Sequence, residues 1–168
     1  MATTIKRVDP ADPEFLAGLE SKAKQPNLFL RAMANRPEAL KNFIPFYGAL
    51  MGPGSVDRRT KAIVYLVTSY ANRCAFCIAA NLPGGRKAGL SEDELLRLEN
   101  GQDEGFPPAE RAAIRYAREL TLTARAEAAR EEMFQHFTHE QMVEITLVAA
   151  MANFTNRFNN GLQILPGA

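Results

Sequence analysis

The stretch "NRCAFCIAAN", residues 72–81, holds Cys74 and Cys77, the only two cysteines of the 168-residue chain. Side chains at i and i+3 share one helix face, so the two sulfurs can meet. If Cys74 opens a helix, the free N–H groups and the helix dipole there favour a thiolate. A thiolate attacks a peroxide or a disulfide, and a neighbouring cysteine resolves the resulting sulfenic acid or mixed disulfide. Two other readings of the same residues stay open. Free cysteine packs as a small hydrophobe, and Ala75, Phe76, Ile78, Ala79 and Ala80 offer an apolar setting. His136 and His139, the only histidines, stand three apart in "HFTH" and with the cysteines would complete a two-cysteine, two-histidine zinc set. Their distance along the chain is much longer than in a zinc finger, and a solvated helix end or cap accounts for them as well.

The elements that must position these residues read as helices. "PEFLAGLESKAK" and "PEALKNFIPFYGALM" are amphipathic at helical spacing, the second with Pro37 in its first turn and Pro45 as a source of a kink. Asp57 is placed to cap the helix that runs into the cysteines. Its segment "AIVYLV" is β-branched enough to be ambiguous. Ser91 with Glu94 and Thr138 with Gln141 form capping boxes, and Gly101 stops the helix that Ser91 begins. "PPAERAAIRYARELTLTA", the short "REEMFQHF" and the long, apolar "THEQMVEITLVAAMANFTNRFNNGL" complete the series. The expectation is one all-α domain over residues 1–168, with about seven to eight helices.

Composition narrows the function classes. Twenty basic and nineteen acidic residues leave a net charge of +1, with no electrostatic footprint for nucleic acid or an anionic membrane. The N-terminus is polar, without the apolar segment of a secretory signal, and the longest apolar stretches are too short to span a bilayer. A cytoplasmic setting follows as the expectation, and there thiols stay reduced and a close pair serves chemistry more often than architecture.

"TSYANRCAFCIAANLPGGRKAGLSEDELLRL" resembles the alkyl hydroperoxidase D-like (AhpD-like) branch of the carboxymuconolactone decarboxylase family. Cys74, Cys77, Gly89, Leu90 and Ser91 fall in register with that branch without a gap. "ANFTNRFNNGLQ" is similar to the family's closing helix, with its N-x-x-N-R-x-N pattern. The likeness covers about residues 20–165. It implies a bundle of mainly antiparallel helices and a homo-oligomer, often a trimer or hexamer. It also implies a thiol peroxidase or dithiol oxidoreductase. In that scheme Cys77 attacks the hydroperoxide or disulfide substrate, Cys74 resolves it as an intramolecular disulfide, and an external dithiol restores both. The scheme needs no cofactor and no metal. The family's lactone decarboxylases do not rely on such a pair.

Two members of the implied proton relay are replaced. The glutamate twelve residues before the first cysteine is Ala62, flanked by Lys61 and Ile63, and the histidine four after the second is Asn81. Asparagine hydrogen-bonds but does not shuttle protons near neutral pH. Candidate substitutes are Tyr70, one turn before Cys74, Lys61 through its charge, and Glu144 as a distant carboxylate. His136 and His139 qualify only if the fold brings them close. Glu144 equally suits a polar cluster or an oligomer contact. Pro83, Gly84 and Gly85 weaken a helix interior and are expected to loosen the segment after the cysteines into a short loop. Two functions remain open: a weak dithiol peroxidase or disulfide reductase, and a non-catalytic binding or redox-sensing protein on the same scaffold.

Overall fold

The computed structural model describes residues 3–9, 14–23 and 27–167, and among these there are nine helices and no strand. They are α1 (Glu14–Ala23), α2 (Leu28–Met33), α3 (Pro37–Met51), α4 (Arg58–Ala71), α5 (Ala75–Lys87), α6 (Glu92–Glu99), α7 (Pro108–Thr123), α8 (Glu127–Met133) and α9 (His139–Gly161). The fold is all-α, and the caps read from sequence are in place. Asp57 accepts from the Thr60 N–H at the start of α4, and Ser91 with Glu94 and Thr138 with Gln141 form both reciprocal bonds of a capping box. The helix that pattern reading passed over is α2, one and a half turns capped by Asn27 Oδ1.

"AIVYLV" resolves as helix because it is the centre of the molecule. Every residue from Ile63 to Ser69 on α4 is buried, and α4 packs against α5, α7 and α9. Such all-round burial removes the polar face that would have shown a helical period. Helices α4 and α5 run in opposite directions: Gly85 of α5 lies on Leu66 of α4, while at the other end Cys74 N donates to Ser69 O.

The expected loop at Pro83–Gly85 is not there. Helix α5 runs unbroken through all three residues, as α3 does through Pro45. Pro83 is exposed. Gly85 is buried where an added Cβ would stand 3.0 Å from Leu66 Cδ1 and 3.3 Å from Leu90 Cδ1. The missing side chain therefore lets α5 lie close on α4, and this packing outweighs the poor intrinsic propensity of "PGG".

Two clusters of buried side chains result. The larger surrounds α4 and includes Leu95, Ile114, Met133, Ile145 and Val148. The smaller, built on Leu16, Phe29, Met33 and Leu40, joins α1–α3, with Phe43, Phe76 and Phe158 packed against it. A stripe of apolar side chains stays exposed on α9 and α3, namely Val143, Leu147, Phe154 and Phe46. Among the described residues no helix is long and apolar enough to cross a membrane.

Lys61, only 2% exposed, fixes the loop between α3 and α4. Its ammonium donates to Leu50 O (2.9 Å) and Gly52 O (2.7 Å), two carbonyls at the end of α3, and pairs with Glu144 of α9. The other oxygen of Glu144 accepts from Ser55 N (2.7 Å), Ser55 Oγ (2.6 Å) and Val56 N (3.0 Å). Burial pushes the Glu144 carboxyl up, but the bonds from Lys61, Ser55 and Val56 outweigh it and hold the group at about 2. A carboxyl depressed in the folded state stabilises the fold above its ordinary range and loses that contribution as pH falls through its folded value. The pair should therefore stabilise the protein fully above about pH 5 and progressively less toward pH 2. Glu144→Gln strands a buried ammonium and should cost about 3–5 kcal/mol at neutral pH. Urea unfolding at neutral and acid pH checks this. Equal stability of parent and variant at neutral pH would contradict it.

Candidate active site

The chain turns sharply between α4 and α5. Arg73 takes a left-handed conformation (φ 53°), which costs a non-glycine residue about 1 kcal/mol. The turn delivers Cys74 to the N-cap of α5, where its Sγ accepts the Cys77 backbone N–H at 3.3 Å. Cys74 and Cys77 are joined in a disulfide with their Cα atoms 5.3 Å apart.

The two sulfurs have different surroundings. Cys74 is fully buried and receives the helix N-terminus. Cys77, 3% exposed, faces a cavity of about 340 Å³ at the seam between the two core clusters. Phe29, Phe43, Tyr47, Tyr65 and Phe76 give that cavity aromatic walls, and Asn27, Asn81, Thr155 and Asn159 add polar groups. Asn159 of α9 donates from Nδ2 to Cys77 Sγ at 3.2 Å, and both groups are buried. Among the described residues its Oδ1 has no hydrogen-bond partner.

A hydroxyl pair lies in the same wall. Thr155 donates to Ala152 O at 3.0 Å, so in the 2.6 Å contact between Tyr65 and Thr155 the phenol is the donor. Burial raises both Tyr65 and Tyr47 above the ordinary phenol range, so both are neutral.

The structure separates the candidates named from sequence. Asn81 lines the cavity one turn after Cys77, but its Nδ2 donates to Cys77 O at 2.8 Å, which ties the amide to the helix backbone. Tyr70 does not line the cavity. It packs on the α4 core, and burial, then the Glu99 carboxylate, pushes its phenol upward, away from the range of a base. Ala62 is partly buried on the same core. Lys61 and Glu144 are together, in each other's service. Glu144 precedes Asn159 by fifteen positions on α9, about 22 Å along the axis, so it reaches neither sulfur. His136 and His139 are exposed at the start of α9, with the His139 ring 5.4 Å from that of Phe134, edge-on. The zinc set fails because these imidazoles lie at the far end of α9 from the cysteines. Among the described residues no group of three or more His, Cys, Asp and Glu side chains converges on a metal position.

Sequence reasoning missed Asn159, Tyr47 and Tyr65. For Asn159 a signal existed, since it is the last asparagine of the N-x-x-N-R-x-N pattern. Asn153 and Asn156 of that pattern accept from Asn72 Nδ2 at 2.9 and 3.0 Å, and Asn156 donates to Ser69 Oγ at 3.1 Å. The motif is thus a row of carboxamides that holds α9 to the end of α4 and places its last member on Cys77.

A helical bundle with a cysteine pair at the start of a helix, one sulfur at the wall of a cavity, is the class of protein these observations define. Residues 37–119 match the model of the carboxymuconolactone decarboxylase family, and the chain belongs to that family. YdfG of Bacillus subtilis is 27% identical over 110 residues, which cover 62% of this chain and 74% of YdfG. Among solved structures, the fold is similar to the alkylhydroperoxidase AhpD core of a peroxidase-related protein from Ralstonia eutropha (TM-score 0.81, 22% identity, 95% of this chain and 87% of that one). It is also similar to the debrominase Bmp8, solved as a cysteine-to-alanine variant with 2,3,4-tribromopyrrole (TM-score 0.85, 16% identity, 100% of this chain and 94% of that one).

Because Cys77 lines the cavity and Cys74 does not, a small alkylating reagent added to the reduced protein should label Cys77 first. Peptide mass spectrometry after partial labelling reads the order. Earlier labelling of Cys74 would show that the reactive sulfur has been misassigned.

Proposed function

We propose that the protein is a dithiol oxidoreductase that reduces organic hydroperoxides or small disulfides at Cys77. The observation that carries this reading is the Cys74–Cys77 disulfide with one sulfur at the wall of an aromatic cavity. In the reduced protein the Cys77 thiolate attacks a peroxide oxygen, the O–O bond breaks, and sulfenic acid and an alkoxide form. The alkoxide takes a proton and leaves as the alcohol. Cys74 then attacks the sulfenic sulfur, water departs, and the disulfide closes. An external dithiol reopens it by exchange.

The proton steps set the speed. No carboxylate or imidazole lines the cavity among the described residues, and Asn81 cannot replace one. General acid–base assistance is typically worth about 10²–10⁴-fold, so turnover should be slow. The oxidation rate should climb with pH as Cys77 ionises. Asn81→His puts an imidazole into the cavity wall and should raise the rate at neutral pH about ten-fold or more. Single-turnover oxidation with cumene hydroperoxide across about pH 5 to 9 tests both statements. A fast parent reaction that is flat with pH would contradict them.

The cavity walls favour apolar substrates over hydrogen peroxide. The same assay with 2,3,4-tribromopyrrole, read as bromide release, tests whether the chemistry in Bmp8's name extends to this chain. A dithiol inert to every oxidant would favour a binding or redox-sensing role on the same scaffold.

The proposed setting is the cytoplasm, with an external dithiol as partner and without nucleic acid or membrane. A second copy is the proposed cover for the exposed stripe of Val143, Leu147, Phe154 and Phe46. Light scattering should therefore give a trimer or hexamer, and a clean 18.5 kDa species at micromolar concentration would exclude it.

A further inference from the structure

We propose that Asn159 is the group that makes Cys77 ionise, by donating its Nδ2–H to the thiolate. The amide is 3.2 Å from Cys77 Sγ, and the two residues are 1% and 3% exposed. In so buried a place a hydrogen bond to an anion is stronger than one to a neutral sulfur. The helix N-terminus does not do this work for Cys77, since the backbone N–H at the start of α5 points at Cys74 Sγ. Electrostatics by the helix alone would thus charge the sulfur without access, and Asn159 charges the one at the cavity.

Among the described residues the cavity lining supplies no competing charge. The titratable side chains that share the cavity with Cys77 are Tyr47 from α3 and Tyr65 from α4, both neutral. The cavity-lining residues of α1, α2, α5 and α9 are uncharged. Asn159 is also held in place, because Asn153 and Asn156 join α9 to Asn72, and Asn160 donates to Asn72 O at 2.9 Å.

The oxidised form leaves this carboxamide poorly served. Its nitrogen faces a disulfide sulfur, a weak acceptor, and its Oδ1 has no partner among the described residues. Reduction by an external dithiol passes two electrons into the S–S bond, which breaks. Cys74 takes one proton as a thiol and Cys77 keeps the thiolate. The external dithiol closes to its own disulfide and releases its second proton to solvent. Only in this reduced state does Asn159 meet a strong acceptor, so it favours reduction as well as ionisation.

The inference rests on the proposed role of Cys77 for its consequence in turnover, but its test needs no turnover. In a Cys74→Ser background Cys77 is the single thiol, and its thiolate absorbance is followed across about pH 5 to 10. Asn159→Leu should move the titration up by about one to two pH units and slow iodoacetamide alkylation at neutral pH about ten-fold or more. Asn159→Asp, equal in size but able only to accept, should move it further. With both cysteines present, the Asn159→Leu disulfide should be about ten-fold or more harder to reduce in a dithiothreitol buffer. Circular dichroism checks that each variant is folded, and if the leucine variant is not, the aspartate variant decides. A folded variant that titrates with its parent overturns the inference. A shifted titration in a protein that reduces no peroxide would sink the proposed function and leave this inference standing.

Discussion

The carboxamide seam between α4 and α9, half-buried at Asn72 and Asn153 and buried at Asn156 and Asn159, is the constraint on which the rest of the site depends. A buried polar group without a partner costs about 1–3 kcal/mol, so a row of asparagines admits one register and penalises its neighbours. Asn153 and Asn156 meet Asn72, Asn156 also meets Ser69, and Tyr65 meets Thr155. With that register set, Asn159 falls on Cys77. At the other end Lys61 and Glu144 tie the same two helices to the end of α3. Helix α3 carries Phe43 and Tyr47, so the cavity walls are positioned through the same framework.

Burial divides the labour of the cysteine pair. The N-cap position turns the Cys77 backbone N–H toward Cys74, yet Cys74 is the sulfur sealed from the cavity. Cys77 has access but lies in the first turn of α5, where it donates its backbone N–H and gains nothing from it. The proposed chemistry therefore needs a separate donor for Cys77, and a buried side-chain amide from a distant helix meets that need. An amide stabilises a charge without exchanging a proton, which suits a cavity with no carboxylate or imidazole in its walls among the described residues.

Much of this was legible in the sequence, for local reasons. Caps are local, so Asp57, Ser91 with Glu94, and Thr138 with Gln141 announced three helix starts. The cysteine spacing allowed the pairing as one of three readings, and in the fold Cys74 at the N-cap meets Cys77 in the first turn of α5. Non-local effects were harder to see. Pro83–Gly85 reads as a break until Leu66 and Leu90 are found where a Cβ would go. Glu144 reads as a lone carboxylate in an apolar helix until Lys61 and the Ser55 loop surround it. Helix α2 is too short to show a period, yet it supplies Phe29 to the cavity. The walls around Cys77 come from α1, α2, α3, α4, α5 and α9, and no spacing along the chain encodes such convergence.

The central claim is that Cys77, and not Cys74, is the sulfur that meets the oxidant. Trapping the first oxidation product tests it most directly. Each single-cysteine variant, Cys74→Ser and Cys77→Ser, is exposed to a small excess of cumene hydroperoxide with a sulfenic-acid trapping reagent, and adducts are located by mass spectrometry. The expected result is an adduct on Cys77 in the first variant and none on Cys74 in the second. An adduct on Cys74, with Cys77 unmodified, would contradict the account.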